Sequence, residues 1–194
     1  DMKKPVLVIG GGGHGKVVID ALLCSGRRVS GVVDPALTPG DTVLTVPVLG
    51  NDEKVYAQAP DSILLANGIG ATARTHRRRD VYERFVALGF RFVNVVHPAA
   101  TIGITLPANR GIQVMAGAVV QPGTILGENV LLNTKASVDH DCEVGDHVHV
   151  GPGATICGGV LIERGAFIGA GAVIVPGVRI GADAVVGAGS VVLE

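Results

Sequence analysis

The stretch from Asn133 to His149 gathers side chains that could do chemistry: Asp139, His140 and Asp141 in succession, then Glu143, Asp146, His147 and His149. An imidazole titrates near neutrality, and a carboxylate on its second nitrogen fixes its tautomer and stabilises its cation. His140 therefore reads as a general base, with Asp141 or Asp139 as its carboxylate. A second candidate lies near the start, where Gly10-Gly11-Gly12-Gly13-His14-Gly15 satisfies G-x-G-x-x-G. Glycines let a backbone approach a diphosphate, and a helix opening at such a loop favours its negative charge. Asp34 stands where a ribose-binding acid belongs, so the pair suits any nucleotide diphosphate. A third cluster is Arg74, His76, Arg77, Arg78 and Arg79. It reads as a solvated helix face with Arg78 chosen for phosphate contact.

The elements that hold these residues differ between the two halves. Every sixth residue from Val114 to Val192 is Val, Leu or Ile, and the frame runs back through Ala108 to Ile102 and Val96. A small or β-branched residue follows four places later, often after a glycine, as at Gly117, Gly153 and Gly171. A sandwich would lose this register at its turns. The period specifies a left-handed parallel β-helix of hexapeptide repeats over residues 96–194, three hexapeptides to a coil. A solenoid that needs only Val, Ala and Gly has no structural use for carboxylates flanking a histidine, so the polar stretch marks a site.

Residues 1–95 read as a small Rossmann-like βαβ domain for the nucleotide. Strands are expected at Pro5–Ile9, Arg28–Val33, Ser62–Ala66 and Arg91–Val95, with helices over Lys16–Cys24 and Ala73–Leu88. Three or four parallel strands are too few for a full NAD domain, which argues against hydride chemistry.

Sixteen basic and seventeen acidic residues nearly cancel, which removes the electrostatic case for nucleic acid or an anionic membrane. The apolar run from Pro5 is too short for a span, so no anchor or signal peptide is read and a cytoplasmic setting is expected. Cys24, Cys142 and Cys157 form no C-x-x-C pair, against both a disulfide framework and a cysteine zinc site. His97, His140, His147 and His149 permit a metal hydratase reading, as in β-helical carbonic anhydrases. Those enzymes typically show histidines five apart, whereas the close pair here is two apart.

The order of Gly12-Gly13-His14-Gly15, Val33-Asp34, Asn67-Gly68, Val93-Asn94-Val95-Val96-His97-Pro98, Leu132-Asn133-Thr134 and Asp139-His140-Asp141-Cys142 is a combined signature. Through it the chain from Lys4 to Glu194 resembles the bacterial hexapeptide acyltransferases that acetylate nucleotide-linked amino sugars, among them the bacillosamine-, perosamine- and sialic-acid-pathway enzymes. The resemblance implies a homotrimer with acetyl-CoA as co-substrate, no metal, and active sites between neighbouring prisms. It makes His140 the base, beside Asp141 where the family usually has Glu. It implies that Asn133 contributes from the adjacent subunit and that His149 lies by the thioester. Backbone at Gly158, Ala170 and Ala188 would line the coenzyme A channel. Gly13, His14, Asp34, Asn67, Gly68 and Arg78 would hold the nucleotide-linked amino sugar. The expected reaction is N-acetylation, at C4 of the sugar, by direct attack in a ternary complex. Sugar O-acetylation, metal-dependent hydration and non-catalytic nucleotide-sugar sensing are the alternatives.

Overall fold

The computed structural model describes residues 4–71 and 76–194. The first part is a five-stranded sheet: β1 (Val6–Ile9), β2 (Val29–Val33), β3 (Thr42–Val43), β4 (Val46–Gly50) and β5 (Leu64–Asn67), in the order β3-β4-β2-β1-β5. All pairs are parallel except β3 with β4. Helix α1 (Gly13–Cys24) follows β1, α2 (Glu53–Tyr56) follows β4, and α3 (His76–Ala87) follows β5. Of the expected helix start, Ala73 and Arg74 lie outside the described residues.

The expected strand at Arg91–Val95 is corrected. Only Phe92 bridges to β5 there, and on its other side it bridges to Arg110. Val95–Val96 then already form β6, paired with Gln113–Val114. Leu65, Phe92 and Arg110 thus splice the first sheet to the second half of the chain.

From β6 onward the chain is a parallel solenoid of two-residue strands, the left-handed β-helix that the hexapeptide period specifies. Each strand pairs with one eighteen residues away, as Leu131 with His149 and Ser137 with Thr155. The register is constant, so the period-six residues Val114 to Ile180 all point inward and form one core.

The three faces of the prism carry different loads. The first face (β6, β8, β11, β14, β17 and β20; strands at 95, 113, 131, 149, 167 and 185) and the second (β7, β9, β12, β15, β18 and β21; strands at 101, 119, 137, 155, 173 and 191) have six strands each. The third (β10, β13, β16 and β19; strands at 125, 143, 161 and 179) has four. The missing rung falls at Pro107-Ala108, where proline supplies no ladder N–H and alanine little core.

The first face is covered. Its outward residues Val95 and Leu131, with Met115, share a core with Val18, Ile19 and Leu22 of α1. Helix α3 lies along the edge between the third and first faces. Its Tyr82 hydroxyl donates to the Arg110 carbonyl (3.2 Å) and to Glu128 (3.1 Å), and Arg79 pairs with Asp183 (3.0 Å).

Candidate active site

His140 sits at the edge between the second and third faces, in the turn from β12 (Ser137–Val138) to β13 (Glu143–Val144). Its Nδ1 lies 2.8 Å from Asp141 Oδ2. A carboxylate only accepts, so Nδ1 carries the proton and Nε2 is the free lone pair. Asp139 does not reach the ring; its Oδ1 accepts the His140 backbone N–H at 2.8 Å. The hydrogen bond to Asp141, then the charge of Asp139, raise the His140 pKa above its ordinary value.

Two glycines make room for this pair. A Cβ on Gly158, one coil on, would lie 2.6 Å from His140 Nε2, and one on Gly123, one coil back, 2.2 Å from Asp141 Oδ1. Asp141 itself adopts φ 58°, a left-handed conformation that Asp tolerates better than most residues. Gly159 N–H donates to the His140 carbonyl (2.9 Å), while among the described residues the Gly158 N–H has no such backbone acceptor. A free N–H beside a free imidazole lone pair suits a reaction that loses a proton and gains negative charge on oxygen.

A second cluster occupies the joint between the domains. His149 is the outward residue of β14 on the first face and is buried, with its ring edge-on to Phe167 at 4.9 Å. The Asn133 amide nitrogen approaches its Nε2 at 3.4 Å. Burial, and then the Arg78 charge, lower the His149 pKa to about 3. His14, by the same causes in the same order, is lowered to about 4. Arg78 is buried on the stripe Arg78–Tyr82–Phe85 of α3, and desolvation lowers its own pKa to about 9. One guanidinium nitrogen donates to the carbonyls of Asn67 (3.2 Å) and Ile69 (3.1 Å); Nε and Nη2 are buried with no partner among the described residues. Arg78 therefore clamps the loop after β5 from inside and lines neither cavity of the cleft described next.

That cleft lies above the glycine loop. A cavity of about 450 Å³ is bounded by Gly12, Gly13 and His14 at the start of α1 and by Gly68 to Gly70. It adjoins one of about 370 Å³, and Gly10, Asp34, Ile69 and Arg77 line both. From the arginine cluster the sequence favours Arg78, but the residue that lines the cleft is its exposed neighbour Arg77, about 100° round α3. The i, i+4, i+7 spacing of Arg78, Tyr82 and Phe85 was the signal that turns Arg78 inward. The loop is closely packed: a Cβ on Gly15 or Gly68 would meet the Gly10 carbonyl oxygen at 2.2 Å. Asp34 accepts the Gly11 N–H (2.8 Å) and the Ala36 N–H (2.9 Å), which fixes the mouth and leaves lone pairs for a donor.

The expected site residues therefore fall into separate groups within one chain. His140, Asp141 and Gly158 share one edge of the prism, and Asn133 another, between the first and second faces. Ala170 and Ala188 lie exposed along that second edge. His14, Asn67, Arg78 and His149 belong to the domain joint, with Gly13, Asp34 and Gly68 in the adjoining cleft.

The four histidines of the metal reading are also dispersed. His147 lies on the third edge, where its Nδ1 meets the Asn129 amide at 3.0 Å. Among the described residues one group of metal-binding types does converge, Asp20, Cys24 and His97. His97 Nδ1 accepts the Ala99 N–H (3.0 Å), so its Nε2, the atom that faces Asp20, holds the proton and has no lone pair for a cation.

The buried neutral imidazoles have a measurable consequence. A histidine whose folded pKa lies below its unfolded value stabilises the fold above about pH 6.5 and loses that contribution as pH falls. His149 alone accounts for about 3 kcal/mol lost between pH 6.5 and 4. Urea unfolding across that range should show the loss, reduced in His149→Phe.

Comparison with known proteins gives the following. Residues 5–85 match the family described as the PglD N-terminal domain, and residues 123–158 and 159–194 match the bacterial transferase hexapeptide family. The chain is 38% identical to PerB from Caulobacter crescentus, solved with CoA and GDP-perosamine, covering 99% of this chain and 90% of that one at a TM-score of 0.87. It is 34% identical to the acetyltransferase domain of PglB from Neisseria gonorrhoeae FA1090, solved with acetyl coenzyme A, covering 98% and 91% at 0.88. WeeI from Acinetobacter baumannii AYE is 26% identical, covering 99% and 92% at 0.86.

Proposed function

Because the chain belongs to the hexapeptide-repeat acetyltransferases with a PglD-type N-terminal domain, we propose that it transfers acetyl from acetyl-CoA to the amine of a nucleotide-linked amino sugar. The observation that carries the mechanism is the His140–Asp141 pair, with Nε2 free above Gly158. The amine nitrogen attacks the thioester carbon. As the C–N bond forms, the oxygen takes the electron pair and is stabilised by the Gly158 N–H. Nε2 of His140 accepts the nitrogen's proton, the carbonyl re-forms, the C–S bond breaks and coenzyme A leaves as thiolate. Cys142 is buried in the prism core with its thiol pKa raised by burial, a poor nucleophile, so transfer is direct.

The nucleotide occupies the cleft at the start of α1. Its diphosphate is held by the helix N-terminus and Arg77, and its ribose by Asp34. The sugar amine acetylated is the one at C4. A homotrimer is part of the proposal. His140 is exposed at its edge, whereas Asn133 and His149 lie at the other edge and on the covered face. Packing the His140 edge of one prism against the Asn133 edge of another brings the two halves together around the thioester, with Ala170 and Ala188 along the coenzyme. The setting proposed is the cytoplasm, in the building of surface polysaccharide.

The direct test is thiol release from acetyl-CoA against UDP-, GDP- and dTDP-linked 4-amino sugars. Release with at least one, and acetylated sugar as product, is expected; binding of all three with no release would remove the reading. The base also has a pH signature. Asp141 raises the His140 pKa, so Asp141→Asn should move the acid limb of the kcat/KM profile to lower pH. An unmoved limb would remove Asp141 from the pair.

A further inference from the structure

Gln113 opens β8 on the covered face of the prism and is fully buried. Its side chain crosses the joint into the N-terminal domain. The amide Nε2 donates to the Asn67 carbonyl (2.7 Å), and Oε1 lies 2.8 Å from His14 Nε2. The orientation of this amide is fixed by chemistry. A backbone carbonyl only accepts, so the NH2 must face Asn67 and the oxygen must face His14. That oxygen in turn requires a proton on His14 Nε2.

The imidazole is neutral, since burial and the neighbouring Arg78 charge both oppose its protonation. A neutral imidazole holds one proton, which leaves Nδ1 as an acceptor. Among the described residues Nδ1 has no partner, and His14 lines the cleft next to Gly12 and Gly13.

We infer that Gln113 is a positioning residue that holds His14 as a hydrogen-bond acceptor toward the cleft, and that His14 thereby selects a sugar presenting an N–H or O–H donor at that point. The inference rests on the reading that this cleft takes the nucleotide-linked amino sugar. It gives His14 a part distinct from its neighbours. A phosphate oxygen is also an acceptor and would be repelled by Nδ1, so the phosphates fall to Arg77 and the helix N-terminus. A sugar lacking the donor leaves a buried acceptor unpaired, a stronger rejection than lost apolar contact produces.

The experiment has two arms. In the unliganded wild-type protein, the nitrogen-15 chemical shifts of His14 should report protonated Nε2 and unprotonated Nδ1 from pH 5 to 8. The kinetic arm uses Gln113→Glu, whose carboxylate accepts from Nε2 and favours the doubly protonated ring, destroying the acceptor. The KM for the nucleotide-linked sugar should rise about tenfold at pH 6 and recover as pH rises, with the KM for acetyl-CoA unchanged. A side chain that merely supported packing would raise KM equally at every pH. A protonated Nδ1 in the wild type, or a pH-independent KM in the variant, overturns the inference. Should the variant not fold, the wild-type shifts decide alone. Wild-type protein that releases no thiol with any amino sugar would overturn the proposed reaction, while the shifts would still judge the Gln113–His14 arrangement.

Discussion

Replacement of His140 by alanine should lower kcat by roughly 10²–10⁴-fold, with the KM for acetyl-CoA within about twofold of wild type. The size follows from what the ring supplies. In the proposed reaction Nε2 is the proton acceptor beside the Gly158 N–H, its lone pair freed by the bond from Nδ1 to Asp141. In the proposed complex the coenzyme makes its contacts along the prism, so its affinity should survive. The exposure of the ring also means that stability should be nearly untouched. Turnover measured beside a thermal melt checks both halves, and near-wild-type turnover would remove His140 as the base.

Gly158→Val should be almost as damaging, by another route. The glycine does not adopt a left-handed φ, so valine meets no backbone strain there. What it meets is the imidazole, 2.6 Å from the position of the new Cβ. The cheapest response is for the exposed His140 ring to swing away, which leaves the fold intact and removes the base from its place. A kcat loss of about 10²–10³-fold with a melting temperature within a few degrees of wild type is expected. A comparable fall in stability would show instead that the prism, and not the ring, yields.

The prism was legible because its period is exact and its parts are simple. One inward residue per six and small residues at the corners leave a single register, and its one exception, Ala108, falls where the third face lacks a strand. The candidate site at His140 stood out in the sequence for a related reason, since polar residues are conspicuous on a scaffold that has no use for them.

The N-terminal sheet was less legible. The hairpin of β3 and β4 turns through Leu44, which adopts φ 56° where glycine or asparagine would have announced the turn, and β4 contains Pro47. Helix α2 is a single turn, too short to show a period. Gln113 was not legible because it belongs to the outward column, which the six-residue period of inward residues does not constrain. The outward column at the eighteen-residue spacing runs Val95, Gln113, Leu131, His149, Phe167. Its two polar members are buried, and one of them, Gln113, hydrogen-bonds across the joint.

The splice through Phe92 has a consequence for how this enzyme recognises its substrate. Backbone hydrogen bonds pass from Leu65 through the Arg91–Val93 segment, and from Phe92 and Arg110 on to Gly111 and Asn129. Hinges need a stretch of chain free to change its dihedral angles, and this joint is laddered on both sides. The span from the glycine loop to the prism edges is therefore set when the chain folds. In the proposed trimer this fixes one end of a gauge: a nucleotide sugar is accepted when its reach, from diphosphate to amine, carries the amine from that loop to His140 of the neighbouring prism.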